Sequence, residues 1–464
     1  MGPAIYDPWR WLARSGGPGG QAWDDGRMET QTMARQHTFD VEGFLATLEE
    51  QAARKFDVLA PQPLLSAVPV DGTPTMELKT REGTTARLPW NRHAGNQIAQ
   101  KLDLPRKHMT KMETPEHAAE LCRHMNYWLE RDDSRRLVRC IQTPDDPTSG
   151  AHIRAYLSDR YRILDNLDVA TSALQAFVEK VQGRGGCPEV YNWTLSENAM
   201  DFLMIDTTLT SRLDAPEGQA GQRPQHGGHG DVNMGKGDWT GSLQGTIQDP
   251  DFEKRGTVAR MAIAEGRDGH GTDGGSLVYP GVHIKNSETG ESGYWVWPCA
   301  LVATCSNRIL IGQKVGGIHL GKEMNCELLY SRELMLRENA IVFEKIREAV
   351  KATFDPETFE KLLDTIRATM GIELPSEREA ADWIIRRENW GEAQRDALLM
   401  AFKRQVSPER VTLFDAVQAI TEAAQTFETD DPEFTLDMEV AAAGLVEKGS
   451  QARTYFGMKE VEKK

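Results

Sequence analysis

The stretch Val282–Cys326, VHIKNSETGESGYWVWPCALVATCSNRILIGQKVGGIHLGKEMNC, constrains the fold more than any other part of the chain. It is short of acids and dense in aromatic and β-branched residues, the composition of strands that fill a sheet core. The apolar run is then broken by Ser306, Asn307 and Arg308, where a buried strand would simply continue. Polar groups set into a core run mark a turn or a polar site. Asn286-Ser287-Glu288 before Gly290 form a second polar, turn-like stretch. Two readings of Asn286 and Asn307 stand side by side. Either they satisfy backbone groups at turns, or they line a groove where strand ends meet.

Around this segment the pattern alternates between helical and extended pieces. Residues 1–36, rich in Gly, Pro and scattered Trp, carry no period and read as a disordered leader. A first helix is expected from Asp40, with Phe44, Leu45, Leu48 and Phe56 as its apolar side. Residues 57–90 read as extended. Two helical pieces follow, NRHAGNQIAQKL and TPEHAAELCRHMNYWLERD, the second capped by Thr114 with Pro115 at its first position. RRLVRCIQT and HIRAYLS alternate as a hairpin, LDVATSALQAFVEKVQ is a helix stopping before Gly183, and EVYNWTLS and DFLMIDTTL are strands. Residues 211–275 are Gly- and His-rich and read as a flexible insertion, after which the sheet resumes at Ser276. From Ser331 onward the pattern is helical, with a Ser376/Glu379 capping box. The fold class is therefore α+β: an antiparallel sheet core with a helical lead-in, a long Gly-rich insertion and a helical C-terminal half. The expected divisions are a leader 1–36, an α+β core 37–330 and a helical region 331–464.

Composition excludes some functions. No run of eighteen apolar residues exists, so no membrane partner is expected, and no secretory start is seen. Six cysteines, mostly in apolar surroundings, read as reduced thiols in a cytoplasm. A net charge of −16 argues against duplex binding over the whole surface, though not against a local basic groove. No phosphate loop opens a helix after a strand, so no nucleotide cofactor is expected.

Three candidate sites arise. The first is the hairpin with Arg135, Arg136 and Arg139 on one strand and Arg154, Tyr156, Arg160, Tyr161 and Arg162 on or after the next. Strict alternation puts Arg154 and Tyr156 on one face. Guanidinium groups interleaved with rings suit single-stranded nucleic acid. The bland alternative is a solvated face paired to Asp159, Asp165 and Asp168. The second is the polar break, with Asn307 and Arg308 near Lys285, Lys314, His319 and Lys322. The third is His226, His229 and Asp231, with His270 and Asp273, donors that suit zinc or manganese. Their glycine surroundings argue against a fixed coordination geometry, and no metal or cofactor is expected in the main reading.

AHIRAYLSDRYRILDNLDVATSAL, VHIKNSETGESGYWVWPCALVATCSNRILI and TLFDAVQAITEAAQ, in that order, resemble the phage/plasmid-like protein family, known as domain of unknown function 932. NRHAGNQIAQKLDLPRKHMTKM and MNYWLE resemble its lead-in, and the resemblance spans roughly residues 85 to 445. The family reads closer to Cys-(Thr/Ser)-Asn-Gly at the polar break, where this chain has Arg308. The resemblance implies a phage, plasmid or mobile-element origin beside replication and recombination proteins as partners, and supplies no reaction. The resulting expectation is a non-enzymatic, homo-oligomeric protein that binds or anneals single-stranded nucleic acid. Its contacts would be Arg154, Tyr156, Arg160, Tyr161, Arg162, Lys285, Asn307, Arg308 and Lys314. The alternatives are a metal-dependent hydrolase or nuclease using the insertion, and a host-factor interaction protein using the acidic C-terminal half.

Overall fold

A computed structural model describes residues 41–79, 85–143, 150–182, 184, 189–206, 208–213, 276–302, 307–311, 314–317, 319, 332–405, 411–425, 427, 432–449 and 455–456. The leader and almost all of the Gly- and His-rich insertion, including its histidines, therefore lie outside the described residues.

Helix α1 (Val41–Arg54) sets Phe44 and Leu48 one turn apart. Phe44 packs its ring 5.0 Å from Phe202 and 5.5 Å from Trp193. Phe56 does not extend this helical face, as the spacing had predicted. Strand β1 (Lys55–Pro61) begins at the residue after Arg54, and Phe56 lies opposite Cys140 in a ladder. β2 (Leu65–Val70), β3 (Thr73–Lys79) and β4 (Thr85–Leu88) form a three-stranded antiparallel sheet. Helices α2 (Arg92–Lys101), α3 (Arg106–Met112) and α4 (Ala118–Leu129) follow. α4 starts later than Thr114, because His117 N–H donates to the Thr114 carbonyl (3.0 Å) and closes a separate turn. β5 (Arg135–Gln142) and β6 (Ala151–Ser158) join β1 in the order β1-β5-β6.

After α5 (Asn166–Gln182) comes the larger sheet. It contains β7 (Glu189–Leu195), β8 (Ala199–Ile205), β9 (Ser211–Leu213), β10 (Ser276–Ser287), β11 (Tyr294–Val302), β12 (Asn307–Leu310) and β13 (Val315–Gly317). Its order is β12-β11-β10-β8-β7, with β9 on β10 and β13 on β11. Alternation gives β10 and β11 two distinct faces. Val282, Ile284 and Val296 face the core that holds α1, α5 and α6 (Arg332–Thr353). Tyr279, Cys299 and Leu301 face the other way, against Ala443 of α11 (Pro432–Glu447).

The C-terminal part is helical: α7 (Pro356–Met370), α8 (Glu377–Glu388), α9 (Glu392–Gln405) and α10 (Leu413–Gln425) precede α11. A two-stranded ladder of β14 (Glu373–Leu374) and β15 (Val411–Thr412) ties them together. Ser376 caps α8 by accepting from Glu379 N–H (3.2 Å). Asp415 accepts from both the amide and the hydroxyl of Thr412 at the start of α10. This bundle shares one apolar core with the sheet: Val278, Val302 and Ile309 pack with Ile366, Phe402 and Ile420. Antiparallel pairing throughout the ladders and the helical C-terminal half make the fold α+β.

Leu213 and Ser276, which flank the insertion, are register partners. The segment 214–275 thus leaves and re-enters the sheet at one point. Replacing it with a two-residue Asn-Gly turn shortens the loop by about five doublings, an expected gain of about 3 kcal/mol. Urea denaturation checks this; a variant less stable than the parent would show that the insertion contributes to the core.

Candidate functional site

The β7–β8 and β10–β11 turns both reach the polar face of the β1-β5-β6 sheet. Glu197 and Glu288 sit on the turns, and the receiving sheet carries Lys55, Arg139, His152 and Arg154 together with Asp57. Glu288, at the β10–β11 turn, is fully buried. Lys55 Nζ lies 2.8 Å from its carboxylate, and Arg154 Nη1 donates to Oε2 at 2.6 Å. The Asn166 amide donates to Oε1 at 2.6 Å. Arg139 Nη1 donates to the Glu288 carbonyl (2.7 Å), while its remaining nitrogens pair with Asp57 (2.9 Å) and Asp165 (2.7 Å). From the β7–β8 turn, Glu197 accepts from His152 (2.8 Å) and from Asn91 Nδ2 (3.2 Å).

The remaining turn residues are held just as tightly. Asn286 Nδ2 donates to the Leu164 carbonyl and to Asn166 Oδ1. Gln97 Nε2 donates to the Thr289 carbonyl at 2.6 Å. Tyr161 donates its hydroxyl to the Ser287 carbonyl at 3.0 Å. Gly290 turns the chain with φ of +77°, the left-handed region that glycine enters without strain. Asn286 thus serves a distant carbonyl rather than its own turn.

Burial alone pushes the Glu288 carboxyl up. Lys55, Arg154 and Arg139 outweigh it and hold the group well below the usual carboxylate range. Burial pulls the Lys55 amine down to about 8, with Glu288 acting in the opposite direction. Three cations and three carboxylates meet here, so the socket is close to neutral overall.

Two expected contacts are corrected by this geometry. Arg154 is fully buried and paired with Glu288, so it does not present its charge to a ligand. Tyr156 is also fully buried, on the opposite face among Ile98, Met125 and Val138. A β-bulge is the reason: Arg139 pairs with Ala155 and Cys140 with Ile153, leaving Arg154 as the extra residue. The bulge shifts the alternation by one, so Arg154 and Tyr156 part company. Asp165, one of the acids expected to neutralise this hairpin, does so through Arg139.

The other expected contacts are scattered or paired in new ways. Tyr161 stacks on His319 at 5.1 Å as part of the socket wall. Arg160 is exposed and Arg162 half-buried beyond the end of β6. Asn307 and Arg308 are edge-strand residues in register with Val302 and Leu301; Ser306 lies outside the described residues. So do His226, His229, Asp231, His270 and Asp273. Among the described residues, no three His, Cys, Asp or Glu side chains come together as a metal site.

Lys285 and Lys314 do converge. Both belong to the outer face of the large sheet, the face on which α11 packs. Lys285 is the register partner of Trp295. Val296 points into the core, so Trp295 and Trp297 share the outer face, where both are half-buried. Lys314 Nζ stands 3.4 Å from the Trp295 ring centroid and 5.0 Å from that of Trp297. A Cβ at Gly316 would collide with the Trp295 ring, so β13 needs glycine there for the indole to lie across it. Burial and the nearby Lys285 charge pull the Lys314 amine below the ordinary lysine value, while Asp437 on α11 opposes them. Asp201 on the same face is bound by His283 Nε2 at 2.6 Å. The two tryptophans were not among the expected contacts. The signal for them was Trp-Val-Trp, whose period of two puts both rings on one side.

No protein-family model, curated protein or solved structure matches the chain. No described helix is long and apolar enough to cross a membrane.

Proposed function

We propose that this chain is a non-enzymatic single-strand nucleic-acid-binding protein that uses the outer face of β10, β11 and β13. The observation that carries the reading is the Lys314 ammonium against the rings of Trp295 and Trp297, with the charge of Lys285, the register partner of Trp295, close by. Two cations held close together repel, and a shared anion relieves that repulsion. Indoles beside such an anion site offer a surface on which an unpaired base stacks. Phosphate on the lysines and a base on an indole together make one nucleotide unit. A half-buried ring on a sheet face reaches a splayed base more readily than one locked in a duplex, which favours single strands. The residual negative charge of the molecule restricts binding to such a local patch. The resemblance to phage/plasmid-like proteins supports a role beside replication or recombination proteins of a mobile element, with several copies assembling on one strand.

The test is a fluorescence-anisotropy titration of a labelled single-stranded DNA oligonucleotide and of its duplex. The expected result is tighter binding of the single strand that weakens as salt rises. Absence of single-strand binding at low salt sinks the proposal.

A further inference from the structure

Lys314 occupies an unusual place for a lysine in a binding face. Its ammonium sits 3.4 Å from the Trp295 centroid, directly against the π-surface a base would use. It is partly desolvated there and close to the Lys285 charge. Asp437 is the carboxylate that acts on it, and Asp201 on the same face is engaged by His283. Alongside Asp437, the indole attracts the ammonium at short range, an electrostatic contact between cation and ring quadrupole.

From this geometry we infer that Lys314 is a displaceable cap on Trp295. In the free protein its ammonium covers the ring. When a strand binds, a base takes the ring and the ammonium swings to the phosphate beside that base, next to Lys285. The inference rests on the nucleic-acid reading above and adds a specific role within it. Lys314 thereby opposes stacking and favours phosphate contact, and the two effects differ in their response to salt. The phosphate contact fades with ionic strength through counterion release. The cation–ring contact, made at short range on a half-buried surface, is screened much less.

Removing the cap thus has opposite consequences at the two ends of a salt series. At low salt Lys314→Ala binds single-stranded DNA more weakly than the parent, having lost a phosphate contact. Its plot of log affinity against log salt is shallower by about 0.7 for that one contact. At high salt the variant binds more tightly than the parent, by about twofold to thirtyfold, because no cation must leave the ring first. The two lines cross. Lys285→Ala, which loses a phosphate contact without uncovering Trp295, flattens its slope similarly but does not rise above the parent at any salt.

The experiment is an anisotropy titration of the full chain and both variants across a salt series with single-stranded DNA. Crossing of the Lys314→Ala line alone supports the cap. If the parent binds and the Lys314→Ala line stays at or below it throughout, the cap is overturned while the binding face stands. If the parent does not bind, the binding reading fails and the cap with it. Circular dichroism and thermal melting matching the parent establish that the surface variants are folded.

Discussion

Glu288→Ala is expected to lose about 3–5 kcal/mol of folding stability, read as a lower urea midpoint at unchanged slope. The size follows from what the substitution leaves behind. Arg154 is fully buried, and its Nε and Nη2 have no hydrogen-bond partner. Without the carboxylate its guanidinium would be an uncompensated charge between two sheets, and Lys55 would lose its anion as well. An exposed pair such as Arg367 with Glu360 is worth about 0–1 kcal/mol, since water already solvates both ends. The sign in acid is also fixed. Glu288 has a folded-state pKa depressed below its ordinary value of 4.5. Its ionic contribution is therefore complete above that pH and is lost as pH falls through the depressed folded value. The stability gap between parent and variant should stay level from pH 7 to about pH 5 and narrow below that, down through about pH 3. A loss under about 1 kcal/mol at neutral pH, or a gap that widens in acid, would contradict the socket.

The legible and illegible parts of this molecule differ in range. The β5–β6 hairpin, α5, the resumption of the sheet at Ser276 and the C-terminal helices follow from periodicity and capping, which are local. Phe56 was misplaced because its spacing from Phe44 and Leu48 fits a helix equally well. Only pairing with Cys140, far along the chain, decides for a strand. Arg154 shows the same limit more sharply. Nothing in HIRAYLS announces the bulge, yet that one extra residue reverses which face each later side chain occupies. A cation was therefore mistaken for a surface contact when its partner, Glu288, lay in the very segment singled out as polar. In the candidate site the lysines were recognised but not their partners. Trp295 is aligned with Lys285 by the β10–β11 register, and Lys314 reaches it only because β13 folds back onto β11.

Trp295→Ala should weaken single-stranded DNA binding about 5- to 150-fold, the equivalent of about 1–3 kcal/mol for one stacked base. The fold should hardly notice. Trp295 is half-buried on the outer face, whereas Trp193, at 4% exposure and packed on Phe44, belongs to the core. Truncating Trp193 would cost about 3–5 kcal/mol, which makes it the wrong variant for a binding test. A rival aromatic surface exists on α4, where Tyr127 and Trp128 are 51% and 46% exposed and Arg131 stacks on Tyr127 at 3.6 Å. That surface is mixed in charge, because Glu120 pairs with both Arg123 and His124 and Glu130 lies beside it. A phosphate chain therefore gains less there than at two converging lysines. Trp128→Ala is accordingly expected to bind as the parent does, with anisotropy titrations of both variants under one salt condition as the measurement. A large loss from Trp128→Ala with none from Trp295→Ala would move the strand to α4 and remove the role given to Lys285 and Lys314.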